Sequence, residues 1–228
     1  MKRLCVTITV LAFAAVVLAG CASASPTPAP AELLVKAAKD LQALRSAKLT
    51  LARQGEPVII DAATGATFSE ATGEYQAPDK VHAKIKVLWG SAVLSVDFLW
   101  LPEGVYMTNP LTGTYGKVST PPDFNVAALF GASGLPSVLQ HGLRAVKVAG
   151  KENLEGLDAY HLRGEADGST LKVLTGGVLV EGIHTVDVWI ETATSHILRL
   201  QDSEPGAAGN VWTLDLFAFD KPVEIKSP

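Results

Sequence analysis

The spacing of apolar side chains changes along the chain, and this change predicts where a helix gives way to a sheet. Between Pro30 and Ser46 apolar residues recur at steps of three and four, which predicts an amphipathic helix. The apolar residues of this segment are Leu33, Leu34, Ala37, Leu41 and Leu44. From Ala47 onward the period becomes two, as in strands with one buried face. The pattern therefore predicts one opening helix followed by a mostly β domain.

Gly, Pro and Asp residues divide the rest of the chain into short alternating segments. The first predicted strands span about 47–54, 66–76, 80–89, 91–101, 104–108 and 115–118. A second group spans about 143–149, 157–164, 183–191, 195–202 and 210–219. Because successive strands are joined by short loops, we expect an antiparallel meander.

Two of these strands indicate how the sheet divides into a dry face and a wet face. In strand 80–89 the apolar positions are Val81, Ala83, Ile85, Val87 and Trp89, and the alternate positions include His82, Lys84 and Lys86. In strand 91–101 the apolar positions are Ala92, Leu94, Val96, Phe98 and Trp100, and the other face includes Ser95 and Asp97. We therefore expect one broad apolar face and one face in contact with water.

The apolar face of the sheet must be covered by other elements, and the middle of the chain contains candidate helices for this role. Residues 124–130 and 135–143 are rich in aliphatic side chains and bounded by Pro or Gly, which predicts two helices. Residues 171–180 are predicted to form a short helix followed by a loop. The predicted fold class is α+β, with a large twisted antiparallel sheet that carries a few helices on its apolar side.

The first twenty residues have the pattern of an export signal. Lys2 and Arg3 precede an apolar run of about sixteen residues, shorter than the roughly twenty needed for a transmembrane helix. The run ends in Leu18-Ala19-Gly20-Cys21, which resembles a lipobox, the motif whose cysteine receives a diacylglyceryl group. We predict that residues 1–20 are a lipoprotein signal peptide and that Cys21 is the acylated first residue. The alternative is an ordinary cleavage site at which Cys21 is merely a small residue.

The segment after Cys21 is predicted to be a tether. Residues 21–30 contain three prolines and no large apolar side chain, so they favour an extended chain. Residues 31–228 have no break in composition and are long enough for one sizeable domain. Cys5 lies in the predicted signal, so the mature chain has no cysteine pair and its domain depends on its apolar core.

Charge and motif content exclude several classes of function. The formal net charge is −4 and the basic residues are scattered, which argues against nucleic acid as a partner. The five histidines lack metal-ligand spacing, and there is no glycine-rich phosphate loop. Gly131-Ala132-Ser133-Gly134 lacks the second glycine of a nucleophile elbow at the required step. We therefore predict no enzyme activity, no catalytic residue, no metal and no cofactor.

Four segments of the chain have a characteristic order and spacing: Leu44-Arg45-Ser46, Gly134-Leu135-Pro136-Ser137-Val138-Leu139, Val186-Asp187-Val188-Trp189-Ile190-Glu191 and Phe219-Asp220-Lys221-Pro222-Val223. Taken together, they resemble the LppX/LprAFG lipoproteins of mycobacteria and, more distantly, the LolA/LolB carriers. The resemblance implies a half-open β-barrel, covered by helices on its concave apolar face, with a cavity for acyl chains. Residues 170–182 depart from the family's pattern.

The resemblance also implies a set of cavity residues, although a residue of this kind, taken singly, is more often ordinary core. They are Val87, Trp89, Val96, Phe98, Trp100, Leu129, Phe130, Leu135, Val138, Leu139, Tyr160, Leu162, Val188 and Ile190. The implied function is a membrane-anchored, extracytoplasmic carrier of a lipid or glycolipid with two or more acyl chains. A membrane transporter is a further candidate partner. The alternative is a tethered protein-binding or sensor module with a filled core and no lipid ligand.

Overall fold

The structure is a computed structural model, and it describes residues 27–119, 127–175, 178–206 and 209–228. The predicted signal peptide and Cys21 lie outside the described residues. So do residues 120–126, which include the start of the predicted helix 124–130, and Gly176-Gly177 in the predicted loop.

Helix α1 spans Pro30–Ala43 and confirms the predicted opening helix. Pro30 occupies the first turn, where its missing N–H has no intrahelical partner to lose, and Glu32 lies at the positive end of the helix dipole. One face of the helix is buried through Leu33, Leu34, Ala37, Ala38 and Leu41. The helix ends at Ala43, and the next residue, Leu44, has an extended backbone that leads towards the first strand.

Twelve strands form one antiparallel sheet and confirm the predicted meander. Their bounds are β1 Ser46–Gln54, β2 Val58–Asp61, β3 Ala66–Gln76, β4 Lys80–Trp89, β5 Ala92–Leu101, β6 Gly104–Thr108, β7 Tyr115–Val118, β8 Arg144–Leu154, β9 Leu157–Asp167, β10 Ile183–Glu191, β11 Ile197–Ser203 and β12 Val211–Phe217. Strand β2 was not predicted, because four residues that pair only with β3 are too short to set a period.

The order of strands across the sheet is β7-β6-β5-β4-β3-β1-β12-β11-β10-β9-β8, with β2 beside β3. The first strand thus lies in the middle, between β3 and the last strand. In the part of the chain that the structure describes, the edge strands β7 and β8 do not pair with each other. The sheet is therefore open, as a half-open barrel requires, and the predicted fold class is confirmed.

The helical segments between the two halves of the sheet are short. One 3₁₀ turn covers Ala127–Leu129, which is the described part of the predicted helix 124–130. Helix α2, Leu135–Ser137, continues as a single π-helical turn over Val138–Gly142, close to the predicted helix 135–143. Helix α3 spans Gly168–Thr175, so it begins three residues before the predicted segment.

A single large apolar cluster lies between the helices and one face of the sheet, which we call the inner face. Directly paired residues form an apolar row across nine strands of this face, which we call the apolar row. In strand order from β8 to β5 the row is Val148, Leu162, Val188, Leu200, Leu214, Leu51, Ala71, Ile85 and Val96. Phe130 stacks on Tyr75 of β3 with ring centroids 4.0 Å apart, which joins the helical side to the sheet.

Part of the outer face is also dry, which the alternation did not predict. Leu99 and Leu101 lie on that face of β5 and are buried against Val223 and Ile225 near the carboxyl terminus. The Ile225 N–H donates to the side chain of Gln76, which holds the terminal segment on the sheet. The end of the chain therefore forms a strap across the outer face, with a small core of its own.

None of the helices within the described ranges combines the length and the apolar composition needed to span a bilayer.

Candidate functional site

Most of the residues predicted to line a cavity lie in or against the apolar cluster. The buried members are Phe98, Leu129, Phe130, Leu135, Val138, Leu139, Leu162, Val188 and Ile190. Trp100 and Tyr160 are half-buried and pack against this cluster, and Val87 and Val96 are buried on β4 and β5. The structure therefore brings the two halves of the sheet and the middle helices to one apolar surface, as the sequence predicted.

Trp89 is the exception among the predicted residues. Its side chain is 50% exposed, and it lies at the last position of β4 beside the turn at Gly90. Alternation assigns a residue to a face of the sheet, but burial also requires that the covering elements reach that position along the strand. Trp89 therefore belongs to the rim of the inner face rather than to its buried centre.

Gly134 fixes how the covering helices enter the cluster. A Cβ atom at this position would lie 2.0 Å from the carbonyl oxygen of Ala128, closer than any real contact. Only glycine permits this approach of two backbone segments. The following residue, Leu135, is consequently placed at the centre of the cluster, where it is fully buried.

Beside the apolar row, the inner face carries a second row of a different character. In this row Val186 pairs with Asp202, Asp202 with Trp212 and Trp212 with Arg53. Each of these residues lies two positions along its strand from a member of the apolar row. Next to it lie His184 and Glu204, both buried. We call Arg53, His184, Asp202, Glu204 and Trp212 the inner polar cluster.

Arg53 and Glu204 form the charged centre of the inner polar cluster. The two terminal guanidinium nitrogens of Arg53 donate to the two carboxylate oxygens of Glu204 at 2.7 and 3.0 Å. Trp212 Nε1 donates to Glu204 at 2.9 Å, and the Arg53 guanidinium also lies 4.9 Å from the Trp212 ring centroid. Burial raises the pKa of Glu204, but hydrogen bonds from Arg53 and Trp212 outweigh it and hold that pKa below its ordinary value.

His184 and Asp202 form a pair in the fully buried part of the inner polar cluster. His184 Nε2 lies 3.0 Å from the carbonyl oxygen of Val180, which can only accept a hydrogen bond, and Nδ1 lies 2.7 Å from Asp202 Oδ1. Burial raises the pKa of Asp202, and among the described residues its Oδ2 has no hydrogen-bond partner.

Sequence reasoning did not single out the inner polar cluster, although a signal for it was present. Arg53 continues the inward series of Leu49 and Leu51, and Asp202 continues that of Leu200. Charged residues at inward positions of an otherwise apolar series predict buried polar partners. The alternation within each strand could not predict that Arg53 pairs with Glu204, because these residues are 151 positions apart in the sequence.

A second cluster, built around His161, lies on the outer face, and both ring nitrogens of this histidine have a hydrogen-bond partner. The ring nitrogens of His161 lie 2.6 Å from Glu152 Oε1 and 2.5 Å from Asp187 Oδ1. Arg163 also donates to Asp187, and Trp189 stacks on the His161 ring at 4.4 Å. These contacts join β8, β9 and β10 and leave this histidine with a structural role.

The outer face also carries a shallow groove of about 350 Å³. Lys48 and Glu74, which line it, form an ion pair at 2.8 Å. The groove lies on the opposite side of the sheet from the predicted cavity residues. Within the described ranges, no three or more His, Cys, Asp or Glu residues are grouped so that they could hold a metal ion.

Comparison with known proteins gives a consistent family assignment. The sequence model of the LppX_LprAFG lipoprotein family matches residues 29–225. The lipoarabinomannan carrier protein LprG of Mycolicibacterium smegmatis is 26% identical over 232 residues, which cover 96% of this chain and 93% of that protein.

Two crystal structures share the fold. LprF from Mycobacterium bovis superposes with a TM-score of 0.69 at 17% identity, covering 89% of this chain and 98% of that one. LppX from Mycobacterium tuberculosis gives 0.62 at 16% identity, covering 88% and 100%. These likenesses extend over most of the chain and include the open antiparallel sheet.

Proposed function

The chain belongs to the LppX_LprAFG lipoprotein family, and on that premise we propose that it carries a lipid or glycolipid across the cell envelope. Acyl chains would lie against the apolar row in a cavity between the inner face and the covering helices. The printed name of the relative LprG, a lipoarabinomannan carrier, supports a glycolipid as one class of cargo.

The observation that carries this proposal is the apolar row. Its nine residues come from nine neighbouring strands, so they form a continuous apolar stripe across the inner face, along which an extended acyl chain would lie beneath the covering helices. Each methylene moved from water to such a surface contributes about 0.8 kcal/mol. A ligand with two chains would therefore be held mainly by its hydrocarbon.

The inner polar cluster supports the same assignment because its ionisable groups are paired with one another. Arg53 pairs with Glu204 at 2.7 Å, and His184 pairs with Asp202 at 2.7 Å. Charged groups that are already paired require no counter-charge from a ligand. The cluster would therefore border the acyl-chain site on one side, and the recognition of cargo would rest on chain number and length rather than on headgroup charge.

Membrane attachment is the second part of the proposal. The lipobox-like sequence Leu18-Ala19-Gly20-Cys21 would be cleaved before Cys21 and the mature domain held at the outer surface of the cytoplasmic membrane. A single acyl chain binds a bilayer only marginally, whereas two or more chains anchor a protein firmly. Mass spectrometry of the mature chain should find the added acyl mass on Cys21, and the Cys21→Ser chain should leave the membrane fraction.

Native mass spectrometry of the Cys21→Ser chain, exported by a bacterium with ordinary diacyl lipids, tests the carrier function. We expect co-purified lipid at close to one molecule per protein, and its mass would give the number of acyl chains. A chain that is empty on isolation, and still empty after incubation with phospholipid vesicles, would exclude the carrier function. That outcome would favour a tethered protein-binding or sensor module.

A further inference from the structure

Large apolar side chains that face solvent are concentrated at one end of the sheet. Ile59 pairs with Thr67, Thr67 with Leu88 and Leu88 with Val93, so these residues form a row across β2 to β5 on the outer face. In this row Val93 is 62% exposed, and Ile59 and Leu88 are exposed as well. Three exposed aliphatic side chains on four adjacent strands form a contiguous apolar surface rather than scattered residues.

The same end of the sheet is apolar on its inner face. Trp89 lies there, beside Leu88 and one residue before the turn at Gly90, whose φ of +60° closes the β4–β5 hairpin. Residues 88–93 and 58–60 include no charged side chain. The hairpin end is therefore apolar on both faces of the sheet.

Strand directions place a further exposed side chain at this end. Strand β6 runs antiparallel to β5, so the β6–β7 turn, which contains Leu111, lies towards the end of the sheet at which β5 begins. Leu111 is 79% exposed. We call Ile59, Ile60, Leu88, Trp89, Val93 and Leu111 the apolar rim. The large apolar residues exposed at the opposite end, Leu157 and Phe217, stand on different strands.

We propose that the apolar rim inserts into the headgroup region of the bilayer, an inference that rests on the membrane attachment proposed above. Pro30 follows Cys21 by nine residues, and a chain of that length spans at most about 30 Å. The tether therefore keeps the start of α1 within about that distance of the bilayer. A tryptophan beside aliphatic residues at one end of the sheet is suited to the boundary between water and hydrocarbon.

The charges near the apolar rim favour hydrophobic insertion over electrostatic adsorption. The rim has no lysine or arginine, and the neighbouring Asp61 accepts hydrogen bonds from Ala63 N and Thr64 Oγ1 of its own turn. An exposed carboxylate would be repelled by anionic lipids. Binding through the rim should therefore occur on zwitterionic phosphatidylcholine and persist at high salt, where electrostatic attraction is screened.

A fluorescent probe on the rim tests this proposal. The mature chain has no cysteine besides Cys21, the proposed site of acylation, so Val93→Cys introduces a unique site for an environment-sensitive label. The acylated protein, its mass confirmed, is reconstituted on phosphatidylcholine vesicles with and without nitroxide-labelled acyl chains. We expect the emission of the label to shift to the blue and to be quenched by the nitroxides, equally at low and high salt.

Phe217→Cys supplies the matched control, because Phe217 is 44% exposed at the opposite end of the sheet. Its label should remain in water and escape quenching. Ile59→Asp, on an exposed neighbour in the same row, should abolish the quenching of the label at position 93 while the far-ultraviolet circular dichroism stays unchanged. Position 93 faces outward, so a lipid held on the inner face would not quench it, and the result is independent of whether the protein carries lipid.

Three results would overturn the proposal. Equal emission from positions 93 and 217 would mean that the domain stands clear of the bilayer or has no preferred orientation. Quenching that disappears at high salt would replace hydrophobic insertion with electrostatic adsorption. A blue shift without vesicles that grows with protein concentration would assign the rim to contact between two copies of the chain.

Discussion

Arg53 on β1 and Glu204 just after β11 form a two-point ion pair across the inner face, although 151 residues separate them in the chain. Their side chains are 6% and 2% exposed. Trp212 donates a further hydrogen bond to Glu204 and stacks its ring near the guanidinium. The pair therefore connects the first strand to the last hairpin of the sheet through buried, fully paired charges.

Removing one member of this pair should destabilise the fold strongly. Glu204→Ala leaves the Arg53 guanidinium buried without its carboxylate, which typically costs about 3–5 kcal/mol. Urea denaturation should show this loss in the free energy of unfolding. Glu224→Ala is the matched control, because Glu224 is 73% exposed and its pairing with Lys226 should contribute at most about 0.5 kcal/mol. Equal effects of the two substitutions would contradict a structural role for the inner pair.

The two buried carboxyls should give opposite dependences of stability on pH. The pKa of Glu204 is lowered in the folded state, so its contribution to stability is present above the unfolded pKa and is lost as pH falls through the folded value. The pKa of Asp202 is raised, so its contribution is largest at low pH and declines as pH rises through the folded value.

Urea denaturation between acid and neutral pH separates these two effects. Glu204→Gln should remove part of the loss of stability on acidification, whereas Asp202→Asn should remove a decline that occurs as pH increases. If both variants changed the slope of the free energy of unfolding against pH in the same direction, the assignment of opposite pKa shifts would be wrong.

Adding bulk to the inner face tests whether ligand or protein fills the space beside the apolar row. Ala71 lies in that row on β3. If acyl chains occupy the space, Ala71→Phe should reduce the lipid bound per protein and change the free energy of unfolding by less than about 1 kcal/mol. If protein side chains fill it, overpacking should destabilise the fold by about 1–3 kcal/mol. Thr72→Phe, on the adjacent outward position, should change neither quantity.

The carboxyl-terminal strap should contribute to stability as a core residue does. Ile225 is buried against Leu99 and Leu101, so Ile225→Ala should lower the free energy of unfolding by about 2–5 kcal/mol. Thermal or urea unfolding measures the loss, and Lys226→Ala, next to it and exposed, should have little effect. An unaffected Ile225→Ala protein would show that the strap does not depend on this contact.

Local periodicity was enough to predict α1, most of the strands and the inward series of side chains, because each depends on neighbours a few residues away. Features that depend on distant parts of the chain were not predicted. Leu99 and Leu101 alternate in step with Ser95 and Asp97, on the face predicted to contact water, and nothing near them in sequence reveals that Ile225 returns to cover them. Trp89 was assigned to the correct face but to the wrong depth.

The same limit applies to the candidate site. The alternation identified the aliphatic residues of the inner face, and Arg53 stood in that series. Its significance depends on Glu204 and Trp212, whose positions relative to Arg53 follow only from the pairing of β1 with β12. Parity along a strand thus assigns a side chain to a face, while the complete sheet decides which charges meet there.

The position of β1 between β3 and β12 has a consequence for the biosynthesis of an exported protein. The amino-terminal strand can complete its second ladder only when the last strand, which ends at Phe217, has been synthesised and translocated. Pairing of segments so far apart in sequence slows folding, since a long loop must close first. With the proposed export, the nascent chain would complete its sheet only after nearly its entire length has been translocated.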